Sequence, residues 1–172
     1  MENIYTGSGN HIAEVPGCNA RKAASRIDRI NLFFLCYMIE RVARKLHQEN
    51  SYVVNEIGKG AMYHLISAAN VLHAENPLDV EEDWMKEYGF QDGDYDISDV
   101  EKELVLQIPT AMQMGKVYQR LIRDTTLPDE DYVEGIFRVY NHEICRVIDN
   151  YNCSAYYEPS YVIARAYQMN RF

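Results

Sequence analysis

The stretch Ile27-Asp28-Arg29-Ile30-Asn31-Leu32-Phe33-Phe34-Leu35-Cys36-Tyr37-Met38-Ile39-Glu40-Arg41-Val42-Ala43-Arg44-Lys45-Leu46 decides the fold class. Ile27, Ile30, Phe34, Met38 and Val42 recur at intervals of three and four, which puts them on one stripe of an α-helix. Leu35, Ile39 and Leu46 widen that stripe. An arc so broad must be buried against more than one neighbour. Asn19 can cap this helix, and the pattern predicts that it runs to about Gln48. The longest apolar run, Leu32 to Ile39, is far short of the ~20 residues that a membrane helix needs.

The same reading works outward from this helix. Ser51 can cap a short helix that stops at Gly58. A helix over 61–74 follows, with Met62, Leu65, Ile66, Ala69 and Leu72 on one face, and Pro77 ends the region. Asp79 and Glu82 form a capping-box pattern before Trp84 and Tyr88, and Gly89 closes that helix. After an acidic loop over 90–97, Ser98 and Glu101 repeat the pattern and predict a helix that ends before Pro109. The chain restarts near Thr110, with Met114, Val117, Tyr118, Leu121 and Ile122 on a stripe. Pro128 followed by Asp129, Glu130 and Asp131 reads as a helix start, since proline suits the first turn and acids suit the dipole there. Val133, Phe137, Tyr140, Ile144, Val147 and Ile148 carry that helix to about Tyr151, and Pro159 opens a last one to about Met169. No strand alternation is convincing, and Pro159 argues against a central strand over 155–163. The expected fold is all-α: a compact bundle of six to seven helices in two lobes sharing one core. The expected divisions are a flexible tail over 1–18, an N-terminal lobe over 19–88, an acidic linker loop over 89–98 and a C-terminal lobe over 98–172.

Composition narrows the function classes. The chain has 172 residues, 47% of them hydrophobic, and a net charge of −9, which is not the signature of disorder. Its four cysteines, Cys18, Cys36, Cys145 and Cys153, form no CxxC pair and read as reduced thiols. The first residues are polar and hold Gly7, Gly9 and Pro16, unlike a signal peptide, so a cytoplasmic location is expected. Residues 75–103 carry twelve acids against two lysines, while 21–45 carry seven bases against two acids. That basic stretch is too short for the broad basic face that nucleic-acid binding wants.

Chemistry-bearing patterns are sparse. Asp92, Asp94, Asp96 and Glu103 stand at positions one, three, five and twelve of a calcium-loop spacing, but Ile97 occupies the sixth position, where the turn wants glycine. A solvated acidic loop is the simpler reading, and no metal or cofactor is expected. His142 and Cys145 are three apart, with Cys153 downstream, which is a thin zinc set. No nucleophile elbow, P-loop, dinucleotide fingerprint or zincin motif occurs, so no catalytic residue is assigned. The run from Tyr151 to Tyr161 is more distinctive: it holds four of the chain's fourteen tyrosines. It reads either as a core edge or as an aromatic contact surface, with Tyr151, Tyr156, Tyr157 and Tyr161 as anchors and Arg146 and Arg165 beside them.

The stretch Leu32 to Ala43, then Met62-Tyr63-His64-Leu65-Ile66, Val71-Leu72-His73 and Val80-Glu81-Glu82-Asp83, resembles the domain-of-unknown-function family 3791, a family of small bacterial helical proteins. The shared pattern is an aromatic-rich helix with a Cys-x-x-Ile-Glu-like element, here one residue longer as Cys36-Tyr37-Met38-Ile39-Glu40, and a Leu-His element before an acidic helix. The resemblance covers residues 30–88. Residues 108–169 resemble a second uncharacterised helical module. The first resemblance implies a neighbour that is an ADP-ribosyltransferase-like protein, in an arrangement like that of a toxin and its antitoxin. The expected function is therefore a non-enzymatic protein-interaction module. Its alternatives are a structural subunit that forms a homo-oligomer through the tyrosine face, or a metal-dependent enzyme using His142, Cys145 and nearby acids.

Overall fold

Helix α1 (Gly17–Lys45) is the helix that the Ile27–Leu46 pattern predicts, and it lies at the centre of the molecule. The computed structural model describes residues 17–97 and 99–172, with side chains from Asp28 onward. The expected tail falls outside the described residues up to 16, while Gly17 and Cys18 already belong to α1, so Asn19 lies inside the helix and does not cap it. The helix stops at Lys45, short of Gln48, because His47 turns into the left-handed region (φ 52). His47 N–H then donates to the Arg44 carbonyl and Gln48 N–H to the Ala43 carbonyl, the bond pair that closes a helix when a left-handed residue follows it. The sequence offers no glycine there to announce the stop.

Three helices cover α1. Helix α2 (Asn50–Leu72) bends at Gly58, whose φ of 74 and ψ of 159 interrupt two helical arms. The predicted stop is therefore a kink, and Ser51 lies inside the helix while Glu49 precedes it without a side-chain cap. Helix α3 (Pro77–Tyr88) starts at Asn76, whose side chain accepts from the Leu78 N–H; Asp79 falls in the first turn and does not cap. Gly89 (φ 59) ends it, as expected. Helix α4 (Ala111–Asp124) begins with a complete capping box between Thr110 and Gln113. It comes closest to α1 at Gly115, where an added Cβ would sit 2.8 Å from the Tyr37 Cα. Any side chain there would meet backbone, so glycine is what lets the two helices touch.

The second half departs further from expectation. Residues 99–109 form no helix; only a turn near Glu101 is present. Ser98, the expected cap, lies outside the described residues. The Glu101 N–H donates to the Asn152 Oδ1 (2.7 Å), and Leu104 and Leu106 face outward, so a helix here would have no continuous apolar stripe to bury. Helix α5 (Tyr132–Tyr140) is capped by Asp131, not opened by Pro128, and it ends at Tyr140 rather than near Tyr151. At the break the Asn141 amide donates to the Phe137 carbonyl and His142 Nδ1 accepts from the Ile144 N–H, side-chain bonds that compete with helix continuation. A short helix α6 (Ile144–Ile148) and a 3₁₀ turn (Ala155–Tyr157) precede α7 (Ser160–Met169).

Seven α-helices and no strand are present among the described residues, so the fold is all-α. One apolar core runs from Leu32 to Tyr167 and draws on both expected lobes. Across it, Arg138 on α5 forks onto both Glu130 oxygens (2.6 and 2.8 Å) and also donates to the Tyr167 hydroxyl (2.8 Å) on α7. Arg41 and Lys45 both pair with Glu81, at 2.7 and 3.0 Å, which ties α1 to α3. No described helix is long and apolar enough to cross a membrane.

Candidate functional site

The tyrosine run divides between the inside and the outside of the molecule. Tyr151 is only 3% exposed, and its hydroxyl accepts from Arg44 Nη2 at 3.1 Å. It therefore belongs to the core and cannot anchor a surface contact. Tyr156 is half-buried and meets both Tyr151 and Tyr157 edge-on, at ring separations of 5.1 and 5.2 Å. Tyr157 and Tyr161 are 77% and 73% exposed. Tyr156 and Tyr157 form one wall of a groove of about 290 Å³ whose other wall is α4, with Val117, Lys116 and Arg120. Arg146 and Arg165 are exposed; Arg146 lies 3.8 Å from Glu49, the residue before α2.

A second constellation is polar and largely enclosed. Glu40 on α1 is completely buried, and Asn50 at the start of α2 bridges it to Asp149. The Asn50 amide donates to Glu40 Oε1 (2.6 Å) and to Asp149 Oδ2 (3.1 Å). The Tyr118 hydroxyl on α4 donates to Asp149 Oδ1 (2.6 Å), and the Tyr95 hydroxyl, from the acidic loop, donates to the Asp149 carbonyl (3.2 Å). Glu40 Oε2 lies 3.6 Å from Arg44 Nε, beyond hydrogen-bond range. Four helices and a loop thus converge on two carboxylates and one guanidinium.

Electrostatics follow from that enclosure. Burial pushes the Glu40 carboxyl up to about 8, reinforced by Asp149 and opposed by Arg44 and Asn50. Burial likewise pushes Asp149 up to about 7, against the hydrogen bonds from Tyr118 and Asn50. Enclosure therefore favours the protonated form of both acids. Desolvation also lifts the Tyr95 phenol to about 12 and the Cys36 thiol to about 12, so both stay neutral. Asp149 remains partly exposed, at the edge of a cleft of about 420 Å³ that Asn50, Tyr95, Tyr140, His142 and Cys145 also line.

His142 and Cys145 do share this cleft, but neither is arranged as a ligand. The His142 Nδ1 is occupied by the Ile144 N–H and its ring lies 4.2 Å from that of Tyr167; the Cys145 thiol donates to the Val139 carbonyl (2.9 Å). Burial raises the Cys145 thiol well above its ordinary value, which suppresses thiolate. Cys153 bonds to the Asn150 and Val147 carbonyls, away from this pair. The calcium-loop spacing is not realised either. Gly93 and Tyr95 donate their amides to the Leu46 and His47 carbonyls, which lays the loop across the end of α1. No three His, Cys, Asp or Glu side chains among the described residues, Asp92, Asp94, Asp96 and Glu103 included, converge as a metal ion would require.

Reading the sequence passes over Glu40, Asn50, Tyr118 and Asp149. One signal was there for the first: Glu40 is the single charge between Leu32 and Ile39 on one side and Val42 and Ala43 on the other, apart from Arg41. Asp149 carries no such mark. Compared with family models, curated proteins and solved structures, the chain matches none.

Proposed function

We propose that the chain is a protein-binding module whose contact face is the groove between α4 and the Ala155–Ser160 turn. The observation that supports this is the pairing of tyrosines with an excess of cations: Tyr156 and Tyr157 line the groove, Tyr161 is exposed just beyond it, and Lys116 and Arg120 stand on the α4 wall with Glu158 as the one acid among the lining residues. Leu106, 97% exposed, adds apolar surface beside Gln107 at the groove's margin. Tyrosine gives large contact area at low entropic cost, and arginine and lysine favour an acidic partner segment. The resemblance to family 3791 suggests that this partner is an ADP-ribosyltransferase-like protein, which the chain would restrain as an antitoxin restrains a toxin.

A second reading rests on the chain's own charge. Residues 75–103, with twelve acids against two lysines, would suit the same groove on another copy, making a self-associating subunit. Light scattering over a range of concentrations separates the two. A monomer at all concentrations, together with co-purification of an acidic-surfaced partner and a change in that partner's activity, supports the first. The double charge reversal Lys116→Glu with Arg120→Glu should weaken binding about tenfold or more while leaving the circular dichroism spectrum unchanged. Undiminished binding by that variant would move the contact face elsewhere.

A further inference from the structure

We infer that the cleft over Asp149 is a binding site for a small organic cation bearing N–H donors, a guanidinium or a primary ammonium. The inference does not rest on the proposed protein contact, which lies at another groove. It starts from a charge imbalance. Two carboxylates, Glu40 and Asp149, face one guanidinium, Arg44, so the enclosed centre lacks one positive charge. A proton can supply it, and so can a cation that reaches Asp149 from the cleft.

The cleft is built for the second option. Its volume, about 420 Å³, suits a small ligand. Each Asp149 oxygen already takes one hydrogen bond, from Tyr118 and from Asn50, which fixes the carboxylate and leaves each oxygen a further acceptor position. Tyr140, 2% exposed, closes the inner wall of the same cleft, with its hydroxyl turned to the buried Cys36. Tyr95, half-buried, is the more accessible aromatic residue of the lining, since the Tyr140 ring stacks on Tyr118. At the margin stand Glu49 and Glu143 against Arg146.

The groups that face Asp149 come from every packed element. They are Glu40 and Arg44 on α1, Glu49 and Asn50 at the start of α2, Tyr95 from the loop, Tyr118 on α4, Tyr140 on α5, and His142, Cys145 and Arg146 around α6. Burial raises both acids of the carboxyl pair toward neutrality. A cation needs the carboxylate, so binding strengthens as pH rises through about 7 and expels a proton when it occurs below that point.

The test uses the full chain and four probes: methylguanidinium, n-butylammonium, neutral N-methylurea and calcium chloride, each titrated while amide NMR shifts are followed. One or both organic cations should bind with a dissociation constant on the order of millimolar at pH 8. Binding should be about tenfold weaker at pH 6, following the ionised fraction of Asp149. Shifts should centre on Asn50, Tyr95 and Asp149, and Asp149→Asn should weaken binding at least about tenfold. Glu49→Gln, at the exposed margin, should weaken it about twofold and guards against a folding defect in the first variant. Which organic cation binds tighter tells guanidinium from ammonium. N-methylurea or calcium binding as well as the organic cations, pH-independent affinity, full binding by both variants, or no shift at about 50 mM probe would each overturn the inference.

Discussion

Tyr118, Tyr140 and Tyr151 on one side, and Tyr157 and Tyr161 on the other, are the same residue used in two ways. The first three are buried, and two of them spend their hydroxyls on charged partners: Tyr118 donates to Asp149 and Tyr151 accepts from Arg44. The Tyr118 and Tyr140 rings stack at 4.4 Å, so they also fill the space between α4 and α5. The other two hold no such position and face outward. A phenol can be packed inside only where its polar tip finds a partner or a tolerant neighbour. The difference teaches that tyrosine density along a chain does not mark a surface. The polar centre absorbs the rings within its reach, and what remains is displayed.

The sharpest way to break the comparison is Tyr118→Ala. Emptying a fully buried ring position and leaving Asp149 Oδ1 without its donor should cost about 3–5 kcal/mol in urea unfolding. Next comes pH. Glu40 and Asp149 are raised above their unfolded values, so the folded state holds more protons than the unfolded one between roughly pH 4 and 8. Stability contributed by these groups is present at the acid end of that window and is lost as pH rises. The melting temperature should fall by roughly 5 °C between pH 6 and 9, and Glu40→Gln should flatten the decline. Third is Gly115→Ala, which pushes a methyl against the Tyr37 backbone. The clash of about 1–3 kcal/mol is offset in part by ~1 kcal/mol of helix preference, so a modest loss should appear in thermal melts. Smallest for stability is Tyr157→Ala with Tyr161→Ala, expected within about 0.5 kcal/mol of the parent chain because both rings are exposed. Partner binding is where that double variant should lose, and collapse of its helicity instead would place these rings in the core.

The same contrast explains how much could be read from the chain. Helix stripes were plain wherever apolar residues recurred without interruption, as in α1 and α4, because periodic burial is a local signal. The restart near Thr110 was plain as well, and its capping box with Gln113 gives the physical reason. Errors gathered where a local signal met a tertiary competitor. The 98–108 pattern resembled a capped helix, yet Glu101 bonds to Asn152, far along the chain. The α5 stripe ran on to Ile148, yet Asn141 and His142 turned their side chains onto the backbone. The carboxylate pair was invisible for a related reason. Glu40 and Asp149 are brought together by the fold and bridged by Asn50, and neither carries at its own position any mark of the other. Tyr151 stood in the expected contact surface because its partner, Arg44, is equally distant.

The crossing of α1 and α4 at Gly115 has a consequence for synthesis. Tyr37 leaves the ribosome long before Gly115 does. At typical bacterial or eukaryotic elongation speeds the delay is roughly 4–15 s. Throughout it the flank of α1 that α4 will cover stays wet, apolar and available to any other chain. That flank is shielded only once α4 has emerged and its Gly115 can seat against Tyr37.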